Sequence, residues 1–156
     1  MQRISMTLIA LLMLTFFSSA QDAAPVKWQV TVKLTSPTEG VAIFKARLEP
    51  GWHLYGLEMP QGGPKATVIN TDESTGVEFT GALTPDRAPL KVHDSMFNLD
   101  LSWWDKDIAF RRKFKVTNPS NACIAGTITF MGCNDMTCSP PSTQKFSKKV
   151  VSTPAK

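Results

Sequence analysis

Apolar residues in this chain recur at every second position, in short runs cut by glycine and proline. In Trp28-Gln29-Val30-Thr31-Val32-Lys33-Leu34 the alternation is complete, the pattern of a strand buried on one face. Val41 to Leu48 repeats it, with Ala42, Phe44, Ala46 and Leu48 on one side and Lys45 and Arg47 on the other. Ser36-Pro37-Thr38-Glu39-Gly40 turns the chain between these runs, and Glu49-Pro50-Gly51 ends the second. Further strands are expected at Trp52 to Gly56, Ala66 to Asn70, Val77 to Thr80, near Asp100 to Trp104, and at Ile108 to Val116, Ile124 to Met131 and Thr143 to Val151. Met59 to Pro64 and Gly81 to Lys91 carry prolines and read as loops. Arg112 interrupts the side shared by Ile108, Phe110, Phe114 and Val116, and the pattern alone does not account for it. No stretch keeps a helical period beyond about two turns.

Seven to nine short strands with Gly/Pro punctuation point to an all-β fold, an immunoglobulin-like β-sandwich. The first twenty residues are expected to stand apart from it. Met1-Gln2-Arg3 is basic, Ile4 to Phe17 is apolar, and Ser18-Ser19-Ala20 supplies small residues before Gln21, as in a cleavable secretory signal. That apolar run is short for a spanning helix. Its removal leaves residues 21–156 as one domain, large enough for a core, in a compartment that permits disulfides. Gln21 to Pro25 and Ser152 to Lys156 read as a leader and a frayed tail. The formal charge of +4 is small and scattered, so neither nucleic acid nor a membrane surface is an expected partner.

The chemistry concentrates in Phe130-Met131-Gly132-Cys133-Asn134-Asp135-Met136-Thr137-Cys138-Ser139-Pro140-Pro141. Gly132, Asn134, Asp135 and Ser139 are turn formers, and strand-like runs flank them. The expected form is a hairpin with one cysteine near each end of its turn, where facing residues come close enough for an S–S bond. Of the three cysteines, Cys133 and Cys138 make the most economical pair, and Cys123 is left over as a small apolar residue. A ring of about six residues is worth only roughly 2 kcal/mol by chain entropy. So short a ring suits a bond that opens and closes, although inert staples are the commoner use of paired cysteines in secreted chains.

His93-Asp94-Ser95-Met96-Phe97-Asn98 is a second candidate, a polar loop whose Phe97 is either core or a lid over the sulfurs. Asp94 or Asp135 near the thiols would raise a cysteine pKa by like-charge repulsion. A third reading is soft-metal binding: Met131, Cys133, Met136 and Cys138, joined by Met59, Met96, His53 and His93, suit Cu(I). No metal-binding spacing supports it, and no metal or cofactor is expected. His53 itself, beside Trp52 and Tyr55, reads as a structural histidine with its nitrogens satisfied. No Ser/His/Asp arrangement, paired carboxylates or phosphate-cradling loop supports a hydrolase or kinase.

The segment from Gly132 to Pro141 resembles the cysteine segment of the N-terminal periplasmic domain of DsbD-type thiol:disulfide interchange proteins. Gly51-Trp52-His53-Leu54-Tyr55-Gly56, followed by Gly62-Gly63-Pro64, is similar to the opening of that domain, and His93 to Phe97 looks like its lid. The resemblance implies an immunoglobulin-like sandwich in the periplasm acting as a protein-disulfide reductase component. It would relay electrons from a membrane disulfide reductase, through thioredoxin-like proteins, to oxidised partners. By position it makes Cys138 the sulfur that forms the mixed disulfide, Cys133 the one that resolves it, and Phe97 the lid aromatic. The departures are four intervening residues where the best-studied members have five, the extra Cys123, and the lack here of the usual fusion to a transmembrane reductase, which puts the donor on another chain. The rival reading is a secreted sandwich that binds a partner and whose disulfide is structural.

Overall fold

The structure is a computed structural model that describes residues 24–151. The expected signal over residues 1–20 and the expected tail lie outside them. Every element among the described residues is a β-strand: β1 (Val26–Leu34), β2 (Glu39–Leu48), β3 (His53–Tyr55), β4 (Val68–Asn70), β5 (Val77–Phe79), β6 (Thr84–Pro85), β7 (Leu90–Asp94), β8 (Leu99–Trp104), β9 (Ile108–Val116), β10 (Cys123–Phe130), β11 (Gly132–Cys133) and β12 (Ser142–Lys149).

All pairings are antiparallel. The first sheet runs β1-β2-β9-β5, with β6 also on β9. The second runs β12-β10-β4, and a third, smaller one runs β11-β3-β8-β7. The alternation read in β1 and β2 is the cause of the first sheet. Val26, Trp28 and Val30 face inward beside Ala42, Phe44 and Ala46, with Val30 opposite Phe44 and Trp28 opposite Ala46. Ile124, Ile128 and Phe130 of β10 and Phe146 of β12 meet them from the second sheet. Trp28 packs on Phe130 at 5.7 Å between ring centroids, and Phe44 meets Phe146 edge-on at 5.3 Å. These aromatic pairs close a two-layer sandwich, in which burial of each large ring stabilises by about 2 kcal/mol.

Arg112 now has its reason. Its side chain lies at the margin of the core, the guanidinium 4.3 Å above the Phe79 ring. One nitrogen donates to Thr71 Oγ1 at 2.7 Å and Nε donates to the Gly81 carbonyl at 3.2 Å. The apolar stem continues the strand's inner face while the charged head is stacked and partnered.

The third sheet differs from the expectation in two places. Residues 81–91, expected as a loop, contain the start of β7, and also β6, which belongs to the first sheet. His93 and Asp94, expected in a polar loop, end β7, and only residues 95–98 form the turn into β8. Asn98 closes that turn with φ of 53°, a left-handed conformation that asparagine tolerates. This sheet uses its two faces for different purposes. Leu54 and Trp104, paired in register, point into the sandwich core, where Trp104 meets Phe110 edge-on at 5.1 Å. His53, Tyr55, Leu101 and Trp103 lie on the opposite face by the strand's period of two.

Candidate functional site

Cys133 and Cys138 are joined by a disulfide, and Cys123 is not part of it. The hairpin expected from the flanking runs exists, β10 against β12, with Phe130 opposite Ser142 at its end. The cysteines belong to a smaller feature beyond that end. Past Phe130 the chain crosses to the third sheet, where Gly132 pairs with Leu54 and Cys133 with His53. Gly132 has to be glycine there, because a Cβ would lie 2.9 Å from Val26 Cγ2 in the packed core.

The turn between the two cysteines is built by its own side chains. Asn134 Oδ1 accepts the amides of Met136 at 2.9 Å and Thr137 at 2.8 Å, and the Asn134 amide donates to the Thr137 carbonyl at 2.9 Å. Ser139 secures the exit: its amide donates to the Gly132 carbonyl at 2.8 Å, and its Oγ accepts the Gly132 amide at 3.2 Å. The two sulfurs are left unequal. Cys133 is 1% exposed, whereas Cys138 is only half-buried.

A cluster separate from the sandwich core surrounds the bond. Tyr55, Leu101 and Cys133 are its buried members, with Met59, Phe97, Leu99, Trp103, Met131 and Cys138 packed on them. Phe97 comes from the β7–β8 turn and meets Tyr55 edge-on at 6.4 Å. Asp94 Oδ1 accepts the amides of Met96 at 2.8 Å and Phe97 at 3.1 Å, so this carboxylate shapes the turn that carries the ring. Asp135 is exposed on the cysteine turn.

His53 departs from its expected role. It is 9% exposed, and its Nε2 has no hydrogen-bond partner among the described residues. Its ring stacks on Trp103 at 4.2 Å and meets Tyr55 edge-on at 5.2 Å. Burial lowers its pKa below the ordinary value, while the negative charges of Asp94, Asp135 and Asp105 pull it part of the way back. Burial, with Asp94 in support, pushes the Tyr55 phenol up to about 12. Tyr55 and Trp103 were not singled out from the sequence as site residues. The alternation of His53 with Tyr55 puts both on one face, but only the non-local pairing of β3 with β11 brings that face to the sulfurs.

The residues of the soft-metal reading divide. Met59 and Met131 pack beside the disulfide, while Met96 and Met136 are exposed, Met136 at 86%. His93 lies elsewhere, with Nδ1 2.9 Å from Asp100 Oδ1. Among the described residues no group of three or more His, Cys, Asp or Glu is arranged to hold a metal ion. Cys123, expected as a small apolar residue, is half-buried with Sγ 3.3 Å from Ser147 Oγ. It begins the strand whose other end leads to Cys133, on the order of 20 Å away along β10.

Comparison with known proteins agrees with this geometry. The sequence model of the family described as thiol:disulfide interchange protein DsbD, N-terminal, matches residues 20–149. A search of curated proteins gives no match. The fold is similar to the crystal structure of the N-terminal periplasmic domain of ScsB from Proteus mirabilis, with a TM-score of 0.55 and 16% sequence identity. That similarity covers 83% of this chain and 48% of the other, so the chain spans about half the length of that structure. With the sandwich, the disulfide and the family match in agreement, the chain belongs to the family of the DsbD N-terminal domain, a thiol–disulfide exchange domain on an immunoglobulin-like β-sandwich.

Proposed function

We propose that the mature chain, residues 21–156 after removal of a secretory signal at residues 1–20, is a periplasmic electron relay. It takes electrons from a membrane disulfide reductase or a thioredoxin-like protein and hands them to oxidised proteins. Among the described residues no helix is long and apolar enough to cross a membrane.

One observation carries the proposal. The disulfide lies in its own small cluster, outside the set of residues that fills the sandwich core. Breaking it therefore removes no core contact, as a bond that opens repeatedly requires. The unequal exposure of its two cysteines supports the following roles. A partner thiolate attacks Cys138 Sγ, the S–S bond breaks, and Cys133 leaves as a thiolate that takes up a proton. The partner's second thiolate then attacks its own sulfur in the mixed disulfide, becomes oxidised, and releases Cys138. The reverse sequence passes the electron pair onward. Phe97 is the cover that a partner displaces, Asp94 holds the turn beneath it, and Asp135 marks the cysteine turn.

Equilibration in glutathione buffers, followed by circular dichroism and thiol counting, tests the relay. Reduction at a moderate potential with the fold intact is the expected result. A disulfide that resists glutathione, or a domain that melts as the bond opens, would instead make the pair structural and leave a secreted binding module.

A further inference from the structure

We infer that His53 is the proton acceptor for Cys133 in the closing step of the exchange, an inference that rests on the relay reading above. Three observations carry it. Cys133 and His53 are directly opposed in the β11–β3 ladder. Opposed residues of an antiparallel pair share a face, with Cβ atoms about 5 Å apart. Both residues are at least nine-tenths buried, so water is a poor proton acceptor for this thiol. And Nε2 of His53 is a buried polar atom with no partner among the described residues, on a ring held by Trp103 and Tyr55. A buried nitrogen left unpaired costs stability, and a role in proton transfer accounts for it.

The step balances without any further reagent. In the mixed disulfide Cys138 is bonded to a partner sulfur, and Cys133 is a thiol. Cys133 gives its proton to the neutral imidazole of His53 and attacks Cys138 Sγ. The Cys133–Cys138 bond forms, the bond to the partner breaks, and the partner leaves as a thiolate, reduced by the electron pair. The imidazolium then passes its proton to that thiolate or to water. When the disulfide is opened again, the proton returns to Cys133 by the same route. The acidic groups acting on His53 are Asp94 from the end of β7, Asp135 from the cysteine turn and Asp105 after β8, and Tyr55 neighbours it on its own strand. The carboxylates stabilise the imidazolium while it lasts, and burial keeps the resting ring neutral and ready to accept.

The test is stopped-flow reaction of the reduced protein with the aromatic disulfide dithiobis(nitrobenzoate). The first thionitrobenzoate released reports attack by Cys138, and the second, unimolecular release reports closure by Cys133. An unassisted thiol with a pKa of about 8.5 is only a few per cent ionised at pH 7. The second release in the wild type should therefore plateau from near pH 6.5 upward. In His53→Gln it should slow tenfold or more at pH 7 and climb with pH toward 8.5, while the first release changes less than about twofold. Equal second-phase rates and pH profiles in the two proteins would overturn the inference and leave the relay standing. A wild type that releases only one equivalent would remove the relay itself, and the inference with it. His53→Phe keeps the stack on Trp103 should His53→Gln fail to fold. The wild-type profile decides independently: a rise that follows a thiol near 8.5, with no plateau from 6.5, overturns the assignment.

Discussion

Asp94 holds the backbone of Phe97, its Oδ1 accepting the Phe97 amide at 3.1 Å and that of Met96 at 2.8 Å. A carboxylate at the end of one strand thus fixes the position of an aromatic ring packed in the cluster around the disulfide. The two residues should behave as a unit. Asp94→Ala removes the oxygen that accepts both bonds and should lower stability by about 1 kcal/mol. It should also raise the rate at which iodoacetamide alkylates the reduced protein. Asp94→Asn keeps an acceptor oxygen and should stay close to wild type in both measurements.

Phe97→Ala should speed the same alkylation by more than Asp94→Ala does, because it deletes the ring rather than loosening its mount. Its cost in stability should be about 1–2 kcal/mol, below the range for a fully buried phenylalanine, since Phe97 is half-buried at a surface turn. An alkylation rate equal to that of wild type would mean that Phe97 packs on Tyr55 without covering the sulfurs.

The roles of the two sulfurs can be separated by trapping. With Cys133→Ser, the half-exposed Cys138 should retain a thioredoxin-like partner as a mixed disulfide, visible on a non-reducing gel. With Cys138→Ser, the remaining thiol is 1% exposed in the disulfide form, and trapping should fall to background. Equal trapping by both variants would cancel the assignment.

Gly132→Ala tests how the site is seated on the sandwich. The new methyl would meet Val26 Cγ2 at 2.9 Å, and Val26 is itself buried in the core. Overpacking of this kind costs about 1–3 kcal/mol. Adding Val26→Ala should recover part of that loss in a double-mutant cycle, measured by urea unfolding.

The long strands were legible because their information is local. Alternation in Trp28 to Leu34 and Val41 to Leu48 reports which face is buried, and the spacing of Cys133 and Cys138 around turn formers identifies the disulfide. Phe97 was legible as either core or cover, and its packing against Tyr55 and the sulfur cluster follows from a short turn. What stayed hidden depends on pairing between distant segments. Leu90 to Asp94 mixes one lysine, one histidine and two apolar residues after a proline, so nothing local marks it as a strand; it becomes one because β8 lies beside it. Arg112 looks like an error in its strand until Phe79, Gly81 and Thr71 converge on it from more than thirty positions away. His53 reads as structural until β11, some eighty residues on, sets Cys133 opposite it.

The two histidines should give the unfolding free energy opposite dependences on pH. His53 is held below 6.5 mainly by burial, so on unfolding it takes up a proton at pH values below 6.5. Its contribution to stability is complete above 6.5 and is lost as pH falls toward its folded value. His93 is shifted the other way, chiefly by its hydrogen bond to Asp100. Its contribution is complete below 6.5 and is lost as pH rises through its folded value. The two windows meet at the ordinary histidine pKa, so their sum peaks near pH 6.5. His93 is exposed, so its limb should be the shallower and should weaken further in salt. Urea midpoints between pH 5 and 8 check this: His53→Phe should flatten the acid limb only, and His93→Gln the alkaline limb only. An acid limb unchanged in His53→Phe would show that the buried imidazole titrates as it does in the unfolded chain.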